Sequence, residues 1–348
     1  MNRKRKVLIL GGGGFIGSQI ARLLSLRDNY ELTIGDVFIR NQDDAEFMQF
    51  IESAGIRLIK GDFANPALFD LLETDYDDFY MLASMIGVNN TLEIPHEIIR
   101  VNTSLILNSL EWLRKTTVKN VLFTSTSENY SGTIDRFGYQ IPTPEDIPLC
   151  IEQIDHPRFT YAVTKMLGES GFMNYARIFG FKCKIIRYSN IIGPNMGFKH
   201  VIPHLVQRFM EQENPFRIFG ADQTRSFCAI EDGARGTILA MENEQAVNDI
   251  FHIGAENEIT IEDLVREVGK QFNYSGEYVI APTYPGSVSR RCPDISKAKR
   301  MLGYAPEISW QDALIPAVKW YENYFKSNVI TKNNSFEEPD KYYRENKS

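Results

Sequence analysis

Tyr161 and Lys165 stand four residues apart in the run Tyr161-Ala-Val-Thr-Lys165. On a helix that spacing puts the phenol and the ammonium on one face. A phenol normally titrates near 10, and a fixed cation beside it favours the phenolate. Bringing it to neutrality takes about three pKa units, roughly 4 kcal/mol of differential stabilisation, and yields a general base suited to pH 7. Tyr-x-x-x-Lys alone is a common helical spacing, but a second group joins it. Thr124-Ser125-Thr126-Ser127-Glu128 closes the apolar run Val121-Leu-Phe. Hydroxyls and a carboxylate at that point sit on the carboxyl edge of a strand, where parallel-sheet enzymes place their chemistry. A hydroxyl there can hold the substrate oxygen that Tyr161 deprotonates.

These groups need a scaffold, and the amino-terminal stretch Lys6–Gly17, KVLILGGGGFIG, supplies its first unit. Aliphatic residues run into four glycines and then into a helical pattern, so the segment reads as strand, tight turn and helix. The glycines fit both Gly12-x-Gly14-x-x-Gly17 and Gly11-x-x-Gly14-x-x-Gly17. Such a loop lets backbone N–H groups approach a pyrophosphate at the positive end of the helix. Asp36 follows nineteen residues after Gly17, at the end of a second strand-like run. A carboxylate there accepts hydrogen bonds from ribose hydroxyls and repels a 2′-phosphate, so the expected cofactor is NAD, not NADP, unless Arg40 offsets that repulsion.

Further strands are expected at Ile56–Asp62, Phe79–Ala83, Val121–Thr126 and Lys184–Arg187, with helices at Pro66–Leu72, Pro95–Arg114 and Tyr161–Ile178. This alternation predicts an α/β Rossmann fold, a doubly wound parallel sheet with right-handed crossovers. Residues 1–190 form the expected NAD-binding domain, and 191–330 a smaller carboxyl-terminal substrate-binding lobe, with parts of 216–253 returning to the sheet. A polar tail occupies 331–348. A cleft between lobes is the natural substrate site, and Met85–Asn90 is a candidate specificity loop at its border.

The 348 residues carry a net charge of −7, which argues against a nucleic-acid surface as the main function. No apolar run reaches membrane-spanning length, and the basic start lacks the apolar stretch of an export signal. Four dispersed cysteines without CxxC pairing fit a reducing, cytoplasmic setting. The five histidines show no convincing metal-ligand spacing; His200 and His204 stand at i, i+4 without a carboxylate partner. No metal is expected.

The chain resembles the extended short-chain dehydrogenases of the nucleotide-sugar epimerase, dehydratase and decarboxylase group. The resemblance rests on GGGGFIG, Asp36, Gly61-Asp62, Leu82-Ala83-Ser84, Asn102, TSTSE, YAVTK, Arg187-Tyr-Ser-Asn190-Ile-Ile-Gly193-Pro194, Arg225-Ser-Phe and Arg291-Cys-Pro. It implies a cofactor site of Gly11, Gly14, Phe15, Ile16, Gly17, Asp36, Asp62, Phe63, Leu82, Ala83, Ser84, Asn102, Tyr161 and Lys165. Asp62 would meet the adenine and Lys165 the nicotinamide ribose. Met85, Asn190, Arg225 and Arg291 would bind substrate, and Tyr161, Lys165, Thr126, Ser127 and Glu128 would be catalytic. Leu10 and Ser131 depart from the usual Thr and Gly.

The implied chemistry oxidises the sugar at C4′ to a ketone, with NAD regenerated afterwards. Tyr161 takes the O4′ proton and Thr126 holds the oxygen. Decarboxylation, epimerisation and dehydration diverge from that ketone. Thr126-Ser127-Glu128 with Arg291 favours decarboxylation of a UDP-hexuronic acid, as does His156-Pro-Arg158-Phe-Thr-Tyr161. NDP-sugar 4-epimerisation and 4,6-dehydration remain alternatives, as does a non-catalytic NAD(H)-binding sensor. Family resemblance also implies a homodimer formed through the Pro95–Arg114 and Tyr161–Ile178 helices.

Overall fold

The computed structural model describes residues 3–39, 45–198, 200–283 and 289–327. Arg40 and the 331–348 tail lie outside the described residues.

The chain opens with strand β1 (Arg5–Leu10), helix α1 (Phe15–Ser25), β2 (Tyr30–Asp36), α2 (Ala45–Ser53), β3 (Arg57–Lys60) and β4 (Asp78–Met81). Helices α3 (Val88–Glu93) and α4 (Pro95–Leu113) lead to β5 (Asn120–Thr126), α5 (Ser131–Phe137), α6 (Thr160–Phe179) and β6 (Lys182–Tyr188). Beyond them come β7 (Ile191–Ile192), α7 (Val201–Met210), β8 (Phe216–Phe219), β9 (Thr224–Ser226), β10 (Cys228–Ala229), α8 (Ile230–Glu242) and β11 (Asp249–Ile253). The last elements are β12 (Glu258–Thr260), α9 (Ile261–Gln271), β13 (Tyr278–Ala281), β14 (Arg290–Arg291), α10 (Ser296–Leu302) and α11 (Trp310–Ser327).

Seven strands form one parallel sheet in the order β11-β6-β5-β4-β1-β2-β3. Val7 to Leu10 and Val121 to Phe123 are buried on both faces of it, as continuous apolar runs require. One face packs on α4 and α6 through Leu8, Phe79, Phe123 and Phe172; the other packs on α1 and α8 through Ile9, Ile34, Ile20 and Ile238. The expected α/β doubly wound sheet is present. Strand order reverses between β1 and β4, so the crevice for a ligand opens at their carboxyl ends.

Of the stretch 216–253, α8 and β11 lie with this sheet, whereas β8 pairs with β13 and β9 with β12 and β14. These smaller sheets belong to a second layer with its own core, built on Phe209, Phe216, Leu264, Leu314 and Tyr321. Gly61-Asp62 falls beyond the end of β3, not inside it. The short helix at Pro66–Leu71 is of the tighter 3₁₀ form, capped by the Asn65 side chain accepting from the Ala67 N–H.

Candidate active site

The glycine loop is shaped by close backbone packing. Gly11 has φ +85°, and a Cβ there would come within 2.5 Å of the Ala83 nitrogen. A Cβ on Gly17 would meet the Gly11 carbonyl oxygen at 2.2 Å. Bare backbone is needed at both positions, and it lets α1 start directly beneath the turn. Leu10 anchors the loop through its carbonyl, which accepts from the N–H groups of Leu82 and Ala83 (2.8 and 2.9 Å). Asp36 accepts from the Gly13 N–H at 2.9 Å and from the Phe38 N–H at 2.7 Å. Its carboxylate is thereby fixed at the rim of the cleft.

That cleft is lined by Gly11, Gly14, Phe15, Ile16, Gly17, Asp36, Asp62, Phe63, Leu82, Ala83, Ser84, Met85, Tyr161 and Lys165, together with Thr124, Ser125, Ile86, Asn90 and Tyr188. A trough lined by glycines at a helix start, by the Asp36 carboxylate and by Tyr161 and Lys165 fits a dinucleotide. Among the expected cofactor residues, Asn102 is absent from the lining. It is buried on α4 and braces the wall: its Oδ1 accepts from the Met85 N–H at 2.7 Å, and its Nδ2 donates to the Met85 carbonyl at 3.0 Å and to Thr164 Oγ1 at 3.2 Å. Met85, expected at the substrate, is a buried wall residue of this trough.

Tyr161 and Lys165 do share the inward face of α6. Lys165 is buried, and its Nζ donates to the Thr124 carbonyl at 2.8 Å. Burial pulls its pKa down to about 7, opposed by the Glu169 carboxylate. The phenolate expected at Tyr161 draws on a bound nicotinamide as well as on Lys165, and the protein groups by themselves act the other way. Burial, and then the negative charge of Glu128, push the phenol above its ordinary value, while a hydrogen bond with Ser84 acts the other way. The lysine nitrogen donates toward β5 and lies 5.6 Å from the Tyr161 ring centroid. Protein groups alone leave Tyr161 protonated.

The remaining expected residues gather beside the trough, where β5 faces the second layer. Thr126 is half-buried; its Oγ1 accepts from the Glu128 N–H (3.2 Å) and caps the 3₁₀ turn Ser127–Tyr130. Ser127 is buried. Ser131 closes the turn by donating to the Glu128 carbonyl at 3.0 Å, a bond that glycine could not make. Arg291, on β14, donates to Glu128 Oε1 at 2.6 Å. Asn190, at φ 41°, donates to the Ser226 carbonyl at 2.9 Å, and Arg225 to that of Thr224 at 2.7 Å.

Glu128 is held below the usual carboxylate range. Burial opposes this, but the charges of Arg291, Arg158 and Arg225 outweigh it. Arg158, which sequence likeness alone marks, sits one turn ahead of Tyr161 in the 3₁₀ segment Pro157–Phe159. Glu169 and Arg187 had no expected role, yet they form a buried bidentate pair (2.8 and 2.7 Å) directly behind Ser125. The sequence signal for Glu169 was its place four residues after Lys165; its burial was not legible.

Comparison with known proteins agrees with this geometry. The model of the NAD dependent epimerase/dehydratase family matches residues 7–254. A UDP-N-acetyl-alpha-D-glucosaminuronate decarboxylase of Bacillus cytotoxicus is 30% identical over 328 residues, covering 91% of this chain and 98% of its own length. A UDP-glucuronate 4-epimerase of Thermodesulfobacterium geofontis is 27% identical over 331 residues, covering 90% and 95%. The crystal structure of UDP-glucuronic acid 4-epimerase from Bacillus cereus, in complex with UDP-glucuronic acid and NAD, superposes with a TM-score of 0.79 at 26% identity, covering 92% and 99%. With the glycine turn, Asp36 and the Tyr161/Lys165 pair in place, the chain belongs to the NAD-dependent epimerase/dehydratase family.

Proposed function

We propose that the protein decarboxylates a UDP-hexuronic acid by way of a 4-keto sugar. The observation that carries this reading is the Glu128–Arg291 ion pair with Arg158 and Arg225 around it. The charges of Arg291, Arg158 and Arg225 all act on this one carboxylate, a positive setting that suits an anionic substrate. NAD, when bound, supplies a reversible hydride acceptor. Tyr161 takes the proton of the 4-hydroxyl and Thr126 holds the same oxygen. Once C4′ is a ketone, a carboxylate on C5′ is a β-keto acid: its C–C bond breaks, carbon dioxide leaves, and the electron pair passes toward the ketone oxygen. Ser127, Glu128 and Arg291 border the carbon that then receives a proton, while Asn190 and Arg225 take the diphosphate.

The same cation cluster would also suit a 4-epimerase acting on the uronate with its carboxylate retained, and that is the second reading. Product analysis separates them. Incubation with UDP-glucuronate, its N-acetyl analogue and neutral UDP- and GDP-hexoses, followed by NMR, should give a pentose nucleotide from a uronate. Conversion of neutral sugars alone rules the decarboxylase reading out. Tyr161→Phe should abolish turnover and retain NAD.

A homodimer is also proposed. Ile99 and Leu107 on α4, and Val163 and Leu167 on α6, leave apolar side chains exposed on two adjacent helices. Four free cysteines support a reducing, cytoplasmic setting. Among the described residues no helix is long and apolar enough to cross a membrane.

A further inference from the structure

We propose that Glu169 is a positioning residue, whose buried carboxylate ties the segment Thr126–Glu128 to the helix that carries Tyr161 and Lys165. Tyr161, Lys165 and Glu169 follow one another at four-residue intervals, so all three lie along one face of α6. Glu169 Oε1 accepts from Ser125 Oγ at 2.5 Å, from Asn129 Nδ2 at 2.9 Å and from Arg187 Nε at 2.8 Å. Its Oε2 accepts from Arg187 Nη2 at 2.7 Å. Asn129 Nδ2 also donates to Ser125 Oγ, at 3.0 Å. Ser125 immediately precedes Thr126, and Asn129 immediately follows Glu128. One carboxylate therefore grips both ends of the three-residue segment that meets the reacting sugar.

Ser125, Asn129, Glu169 and Arg187 are each at most 5% exposed. In so dry a place charge-assisted hydrogen bonds are short and directional, and a misaligned donor is costly. Arg187 adds a third anchor, donating through Nη1 to the Glu145 carbonyl at 2.9 Å. An ion pair serving stability alone gains little over apolar residues of similar volume. Here two of the four bonds to the carboxylate go to the catalytic segment instead of the arginine, and they hold it in register with α6. Chemistry that needs Tyr161 and Thr126 on one oxygen depends on such register, since a displacement of about 1 Å can cost 100-fold.

The test compares Glu169→Gln and Ser125→Ala with the intact protein, on whichever UDP-hexuronate or UDP-hexose the latter converts. This inference rests on the proposed function only for that substrate. Failure of the uronate reading shows in what the intact protein converts, and failure of the present proposal in the variants. Glu169→Gln should lower kcat per folded molecule about 30- to 100-fold, with KM within threefold and bound NAD near that of the parent, and should lower Tm because Arg187 is left a buried charge without its carboxylate. Ser125→Ala leaves the ion pair whole and should show the same split at about 5- to 10-fold. A kcat for Glu169→Gln within threefold of the parent overturns the proposal, as does a fall that merely tracks lost NAD or lost folded protein. If Glu169→Gln does not fold, an unchanged kcat in Ser125→Ala overturns it equally.

Discussion

Replacing Lys165 by methionine should make the cofactor-free protein more stable near neutral pH while removing its function. Lys165 is 3% exposed, and burial lowers its pKa from 10.5 to about 7. The charged form is the penalised one, so the sign is opposite to that of a lysine gaining a partner. The penalty is full below pH 7, at about 4–5 kcal/mol, and fades as pH rises from 7 toward 10.5. Between pH 7 and pH 9 it falls by about 2 kcal/mol. Against the gain on substitution stands the Thr124 carbonyl, which loses its partner at a cost of about 1–3 kcal/mol. The variant should then lead by about 2 kcal/mol at pH 7, and the lead should close by pH 9. Urea unfolding of both proteins, stripped of cofactor, at the two pH values measures this. Other titrations, such as that of buried Lys184, occur in both proteins and cancel in the difference. A stability gap that does not change with pH, or a less stable variant at pH 7, would refute the assignment of Lys165 as a desolvated amine held for binding and catalysis.

Gly17→Ala places a methyl 2.2 Å from the Gly11 carbonyl and 2.8 Å from the Gly12 Cα, both backbone atoms that cannot step aside cheaply. A loss of about 1–3 kcal/mol is expected, with little NAD retained on purification; full retention contradicts the tight-turn account. Leu107→Glu, on the exposed face of α4, should convert a dimer to a monomer in light scattering with the fold intact by circular dichroism, and a monomeric parent at micromolar concentration would end the dimer proposal.

Sequence alone determined the alternation of strands and helices, because runs such as Val7–Leu10 must be buried on both faces and their helices carry a different period. It also determined the glycine turn, since Gly11 and Gly17 leave no room for a side chain, and the Tyr161/Lys165 face, since helical spacing is a local property. Three things were decided by tertiary structure. The first is the meeting of Glu128 with Arg291, 163 residues apart, which follows from β14 joining β9 in the second layer. The second is the setting of Tyr161, where burial and the Glu128 carboxylate push the phenol above its ordinary value. The last is Glu169. Its spacing from Lys165 was readable, but a glutamate on a helix is ordinarily solvated. Only the packing of α6 against β5 and β6 brings Ser125, Asn129 and Arg187 around it and turns a surface-type residue into a buried anchor for the catalytic segment.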